Sequence, residues 1–353
     1  MSRKLCEKPT VAWMTNLRLC KDGIQSKSIT FSANEAYEYY LTRSGVPSIA
    51  KALCDKFAIE LPCGKCAACL CNKREDWSTR LCHEASVYGE DVCFVTLTYN
   101  DQHLPHTDDQ PYLVDGVKNP RKCFDWSTGT PTLCLRDVQL FLKRLRKALE
   151  PRKIRYYLVG EYGSKFSRPH YHLMIFGYKP TDLVLWKRIN GHLVYRSSFL
   201  ESFWTRASYK ESLGFSTVTD VTPGVARYCA QYVTKKMIVK STPPNVMPEF
   251  YRQSVRDGGI GSSWLRRWYR SVVGMTYVTY RNGRNILKAP IPRYYVRWLR
   301  NNHPDQYLIR RDKVQAYLSE NVPRRTIRDV DDSRKSVQKI IYETSCQLRD
   351  RVL

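Results

Sequence analysis

The chain has 353 residues, with 58 Lys and Arg against 33 Asp and Glu, a formal charge of +25. Such an excess calls for a polyanionic partner, usually nucleic acid, and a hydrophobic content of 42% is enough for two or three domains with real cores. No run approaches the roughly 18 apolar residues of a spanning helix, and the N-terminus carries scattered charge without an apolar stretch, so the chain reads as soluble and intracellular, with no membrane partner.

Residues 1–55 show no strong periodicity and the chain has no internal repeat. Of the thirteen cysteines, Cys63, Cys66, Cys69, Cys71 and Cys82 crowd into 20 residues. In a chain this long, reduced thiols with one local metal site fit better than a disulfide framework. Cys63-x-x-Cys66-x-x-Cys69 together with Cys82 offers four soft ligands for one structural Zn²⁺, with Cys71 and His83 as further donors. No distant second CxxC matches it, so free thiols packed in a small core remain an equal alternative.

The cysteines run into a predicted helix over 77–87. Residues 92–100, rich in β-branched and aromatic side chains, predict a buried strand, followed by a loop with Pro105, Pro111 and Pro120. Val138, Leu142, Leu145 and Leu149 fall at helical spacing among Lys and Arg, which predicts an amphipathic helix over 136–149. Strands over 154–159 and 170–176, joined by the short turn at 163–169, predict an antiparallel hairpin. A helix over 226–239 opens after Thr222-Pro223-Gly224 and closes before Pro243-Pro244. The expected class is α+β, a mostly antiparallel central sheet with flanking helices. The expected divisions are an N-terminal segment (1–62), a Cys-rich segment and helix (63–90), the sheet domain (91–240) and a basic C-terminal region (241–353).

Two short patterns carry the chemistry. In Arg168-Pro169-His170-Tyr171-His172, residues two apart share a strand face, so both imidazoles point one way and Tyr171 the other. Glu161, in Gly160-Glu161-Tyr162-Gly163, ends the neighbouring strand within reach of both rings. Two His and one carboxylate leave open positions on a divalent ion such as Mg²⁺ or Mn²⁺ for phosphate oxygens. The competing view is a pair of structural histidines bonded to backbone. Tyr228 and Tyr232 lie one helical turn apart, and Lys235 or Lys236 follows on the same side. With 24 tyrosines such a spacing is expected by chance, so the pair gains weight only beside the histidines. A phenol of pKa about 10 needs its phenolate stabilised to attack phosphate, and nearby ammonium groups and a metal-polarised phosphate would supply this.

Between residues 252 and 300 eleven Lys or Arg face a single acid, Asp257, interleaved with aromatics including Trp264, Trp268, Tyr294 and Tyr295. Cations track phosphates and aromatic faces stack unpaired bases, which singles out Arg266, Arg267, Trp268, Arg293, Tyr294 and Arg297 as DNA-binding candidates. The alternative is that the aromatics are core and only the charges lie outside.

Phe94-Val95-Thr96-Leu97-Thr98-Tyr99, the segment 168–177 and Tyr228-xxx-Tyr232 with Lys235 resemble three motifs of the rolling-circle replication initiators of the HUH endonuclease superfamily, microvirus branch. Cys63-Gly-Lys-Cys66-Ala-Ala-Cys69 and His83-Glu84-Ala85 sharpen the resemblance to gokushovirus initiators. The likeness is strong over 63–240, weaker beyond, and absent at both ends. It implies a metal-dependent nickase and strand transferase that links Tyr228 or Tyr232 to the 5′ phosphate of viral origin DNA in the host bacterial cytoplasm. No Gly-rich phosphate-binding loop is present, so the resemblance implies a host helicase as well as a host DNA polymerase. Two other readings stand beside it: a non-catalytic zinc-containing nucleic-acid-binding protein, and a mobilisation relaxase or transposase of the same superfamily.

Overall fold

The computed structural model describes residues 6–20, 23–106, 113–114, 117–118, 130–163, 166–189, 191–206, 211–235 and 246–321. In chain order the elements are β1 (Thr10–Cys20), β2 (Gly23–Thr30), α1 (Ala33–Ser44), α2 (Pro47–Phe57), β3 (Ala58–Leu61), α3 (Ala67–Tyr88) and β4 (Val92–Tyr99). Then come β5 (Leu113–Val114), β6 (Val117–Lys118), α4 (Leu135–Ala148), β7 (Arg155–Tyr162), β8 (Pro169–Phe176), β9 (Val184–Ile189), β10 (His192–Arg196) and α5 (Ser198–Glu201). The remainder are β11 (Gly214–Thr219), α6 (Pro223–Lys235), β12 (Phe250–Gln253), α7 (Ser262–Gly274), β13 (Tyr277–Asn282), β14 (Asn285–Pro290), α8 (Arg293–Asn302) and α9 (Pro304–Asn321). The chain forms two compact units: one runs from Arg74 to Arg297, the other combines residues up to 73 with those from 298 onward.

The larger unit is built on a seven-stranded sheet in the order β12-β7-β8-β4-β11-β10-β9, antiparallel at every pairing. The α+β class and the antiparallel 7–8 hairpin expected from the sequence are therefore present, and edge strand β12 comes from beyond residue 240. One face is dry throughout. Val138, Phe141, Leu142 and Leu145 of α4 pack on Val95 and Leu97 of β4, Leu173 and Ile175 of β8 and Leu158 of β7. Each such side chain contributes roughly 1.5–3 kcal/mol by leaving water. The period-3.6 stripe of α4 thus meets the odd-numbered residues of β8, as the alternation of a strand requires.

The opposite face is covered at one end only. Trp77 and Leu81 of α3 and Ala226, Cys229, Ala230, Tyr232 and Val233 of α6 pack on Phe94, Tyr157, Val159, Met174 and Phe176. Helix α3 begins ten residues earlier than the sequence predicts (67 rather than 77) because the cysteines themselves are helical from Ala67 on. The predicted continuation of α6 to 239 lies outside the described residues beyond Lys235, as do Pro111 and Pro120.

The smaller unit carries a three-stranded sheet, β2-β1-β3, with α1 and α2. Tyr40, Ala50 and Phe57 form its small core, with Tyr40 and Phe57 stacked at 5.8 Å. Among the described residues no helix is long and apolar enough to cross a membrane.

Candidate metal and nucleophile site

Sheet register assembles the donors. Glu161 of β7 pairs with His170 of β8, which pairs in turn with Thr98 of β4; one row further in, Val159, His172 and Thr96 align. Glu161, His170 and His172 therefore stand on one face, with one ligand atom from each within 4.8 Å of the others. His170 Nε2 lies 2.7 Å and His172 Nε2 2.8 Å from the same carboxylate oxygen, Glu161 Oε1.

The far side of each ring is also held. His172 Nδ1 is 3.0 Å from Thr96 Oγ1, and His170 Nδ1 is 3.1 Å from the Arg168 carbonyl oxygen. A neutral imidazole has one N–H, yet both ring nitrogens of His170 face oxygen atoms that only accept. Either a second proton or a cation must sit at the Nε2 side. Holding the outer N–H on a carbonyl while Nε2 faces the site is how metal-binding histidines are commonly oriented. This donor set fits a hard divalent cation such as Mg²⁺ or Mn²⁺. Burial alone would raise the Glu161 carboxyl, but hydrogen bonds from His170 and His172 outweigh it and hold it well below the usual carboxylate range.

Helix α6 brings both phenols to the same spot. Tyr228 Oη donates to Glu161 Oε1 at 2.8 Å and lies 3.2 Å from His172 Nε2. The Tyr232 ring packs edge-on against Tyr228 at 5.2 Å and is only 4% exposed. Burial first, and the Glu161 charge second, push both phenols far above their ordinary value. The sequence predicts cations beside these hydroxyls. Among the described residues the group facing them is a carboxylate, while Arg227 turns away to pair with Glu75 at 3.0 Å. Lys235 closes α6, and its side chain lies outside the described residues.

A second donor cluster sits in the smaller unit, and here the sequence reading needs correction. The four thiols that converge within 4.8 Å are those of Cys6, Cys63, Cys66 and Cys69; Cys82 is not among them. Cys69 and Cys82 are thirteen residues apart on α3, about 20 Å of helix rise, so they cannot share an ion. Cys82 instead packs with Trp77 and Leu81 in the sheet-covering core. The cluster has the backbone donors a thiolate site needs. The N–H of Cys63 points at Cys6 Sγ (3.3 Å), that of Cys66 at Cys63 Sγ (3.3 Å) and that of Glu7 at Cys66 Sγ (3.4 Å). Although burial pushes the Cys63 thiol up, N–H donors from Lys65 and Cys66 outweigh it and bring it down to about 6. Four thiols at this separation fit a tetrahedral structural Zn²⁺.

The basic stretch divides. Arg266, Arg267 and Trp268 on α7 and Arg293 and Arg297 on α8 are exposed, with the Arg267 guanidinium 5.3 Å from the Trp268 ring. Tyr294 is half-buried, its hydroxyl donating to the Gly258 carbonyl and its ring 4.3 Å from the Arg80 guanidinium. Trp264 and Tyr295 are not available to stack bases. Trp264 lies on the buried His83 ring at 3.8 Å and on Tyr295 at 5.5 Å, and Tyr295 is wholly buried. His83 and Glu84 tie α3 to this region, His83 through Tyr295 Oη and the Thr279 carbonyl (3.0 Å each) and Glu84 through the Gly261 N–H (2.7 Å).

Comparison with known proteins agrees with the fold and the donors. Residues 92–237, from β4 beyond the end of α6, match the family model described as replication-associated protein ORF2. The chain is 30% identical over 267 residues to replication-associated protein VP4 of Bdellovibrio phage phiMH2K, covering 73% of each chain. It is 28% identical over 266 residues to replication-associated protein ORF2 of Spiroplasma virus 4, covering 72% of this chain and 73% of the relative. Replication-associated protein ORF4 of Chlamydia phage 1 is 29% identical over 192 residues, 52% of this chain and 40% of its own. No solved structure matches. The chain belongs to the family of phage replication-associated proteins, the microvirus-type replication initiators.

Proposed function

We propose that this initiator nicks the viral origin by tyrosine attack, remains joined to the 5′ end, and later rejoins the displaced strand into a circle. The observation that carries the reading is the shared oxygen: Glu161 Oε1 lies 2.7–2.8 Å from both imidazoles and the Tyr228 hydroxyl. A nucleophile and a cation-binding set thereby occupy one point on the sheet.

In the first step the Tyr228 oxygen loses its proton and forms a bond to the scissile phosphorus. The P–O3′ bond breaks, and the departing oxygen takes a proton to become a free 3′-hydroxyl. The phosphotyrosyl ester conserves the phosphodiester free energy, so rejoining needs no ATP. Mg²⁺ or Mn²⁺ held by Glu161, His170 and His172, when bound, supplies charge neutralisation at the phosphate oxygens. Tyr228 acts first because it is the more accessible phenol and already touches the donor set. Tyr232, packed behind it on the same helix, acts when the origin is regenerated: it takes over the new 5′ end, and the freed 3′-hydroxyl closes the first link. Lys235 is placed to offset charge near the end of this helix. The 3′-hydroxyl primes a host polymerase and a host helicase unwinds the duplex, in the host bacterial cytoplasm. Exposed Arg266, Arg267, Trp268, Arg293 and Arg297, with half-buried Tyr294, hold origin DNA by its phosphates.

The test is incubation with single-stranded origin oligonucleotides and Mn²⁺, followed by mass-spectrometric mapping of any phosphotyrosine. An SDS-stable adduct that persists after both tyrosines are replaced by Phe refutes the assignment.

A further inference from the structure

Beside the donor set, the covered half of the sheet face gives way to an open strip with its own composition. In sheet register Phe215 of β11 pairs with Thr98 of β4, and Thr98 with His170 of β8; one row further in, Thr217, Thr96 and His172 align. Directly paired residues of antiparallel strands project to the same side. Phe215 therefore shares the face of the imidazoles, two strand spacings or about 10 Å from His170.

This strip is neither core nor ordinary polar surface. Its floor is the half-buried hydroxyl residues Thr96, Thr98 and Thr217, and its wall is Phe215, 52% exposed. Guanidinium groups flank it. That of Arg196 lies 5.7 Å from the Phe215 ring while bound to Glu201, and that of Arg168 reaches the Tyr99 carbonyl at 3.0 Å at the end of β4. The adjoining hairpin continues the pattern: Trp186 of β9 is 51% exposed, with Lys187 Nζ 3.8 Å from its ring. An aromatic kept in water at the centre of a sheet costs stability, and cations beside it argue against a hydrophobic protein partner. Aromatic face, hydroxyl floor and flanking cations are the parts of a site for an unpaired base and its phosphates.

We propose that Phe215 is a stacking platform for the unpaired base next to the scissile phosphate, with Arg196 and Arg168 tracking the strand on either side. This deepens the endonuclease reading, on which it rests. It assigns single-strand recognition to the sheet face, apart from the basic surface of α7 and α8.

The experiment measures fluorescence anisotropy of a labelled oligodeoxythymidylate, and separately of a labelled duplex, without added divalent cation. Phe215→Ala is expected to weaken single-strand binding about tenfold, the loss of one stacked base. Phe215→Trp should restore it, duplex affinity should stay unchanged, and both variants should melt at the wild-type temperature because the ring is exposed. Unaltered single-strand affinity in Phe215→Ala, or an equal loss on duplex, overturns the proposal. So does a change in oligomeric state with single-strand binding intact, which would make the strip a contact between copies. Binding without added cation is independent of cleavage, so absence of nicking by the wild type would sink the endonuclease reading and leave this measurement standing.

Discussion

Replacing Cys6 by Ser tests the corrected thiolate cluster most directly. Cys63, Cys66 and Cys69 lie within seven residues of one another and order almost no chain by sharing an ion. Cys6 is different, since it lies 57 residues from Cys63. A cross-link of that span removes about 14 cal/mol/K from the unfolded ensemble in the loop-closure treatment, or about 4 kcal/mol at 25 °C. Cys6→Ser should therefore cost the zinc-loaded protein about 4 kcal/mol while the local three-thiolate set still retains metal. After chelation, wild type and variant should unfold alike. Urea unfolding followed by far-UV circular dichroism, with zinc counted by atomic absorption, gives all the quantities, and Cys82→Ser should leave the zinc content unchanged. The reasoning fails if Cys6→Ser is as stable as wild type when loaded, if its deficit survives chelation, or if Cys82→Ser is the variant that loses metal.

Tyr228→Phe should abolish the first covalent adduct on an origin oligonucleotide, whereas Tyr232→Phe should retain it and lose circle closure; the reverse pattern refutes the proposed order. Thr96→Val removes the hydroxyl 3.0 Å from His172 Nδ1 and should raise the Mn²⁺ concentration needed for nicking by about tenfold or more without changing DNA affinity. Titrating Mn²⁺ against nicking rate checks this, and an unshifted midpoint counts against the donor set. Burial lowers the His83 pKa from 6.5 to about 4, so the neutral ring favours folding fully above pH 6.5 and progressively less as pH falls toward 4. The loss between pH 6.5 and 5 should be about 2 kcal/mol in wild type and absent in His83→Gln, as read from urea midpoints; equal slopes would refute it.

Much of the site was legible because its geometry is local. A strand alternates faces, so His170 and His172 had to point together, and a hairpin turn of a few residues had to bring Glu161 opposite them. Cys6 was illegible for the opposite reason: no spacing rule connects it to residues 57 positions away. The aromatics of α7 and α8 were half-legible. Their interleaving with arginine fits base stacking and an amphipathic helix alike, and only the buried His83 ring beneath Trp264 decides for the core. Residues 1–55 gave no periodic signal, yet they hold two strands and two helices whose core is as small as Tyr40, Ala50 and Phe57. Phe215 left no trace at all, because one exposed aromatic acquires meaning only from the row it joins.

The half-covered sheet face also constrains how a strand reaches the donors. From Leu173 onward β8 is apolar on both sides, and helices α3 and α6 seal Met174 and Phe176 from water. His172 sits at the edge of that seal and His170 just outside it, so the ligands lie where low dielectric meets solvent. A phosphate cannot approach through the sealed side. It has to enter across Thr98 and His170, which places the flanking nucleotide over Phe215 and presents the phosphorus to the first phenol it meets, Tyr228. Tyr232, deeper in the same wall, is reached only after Tyr228 and its bound strand have made way. The order of the two nucleophiles and the position of the base platform are thus consequences of a single feature, the place where α6 stops covering the sheet.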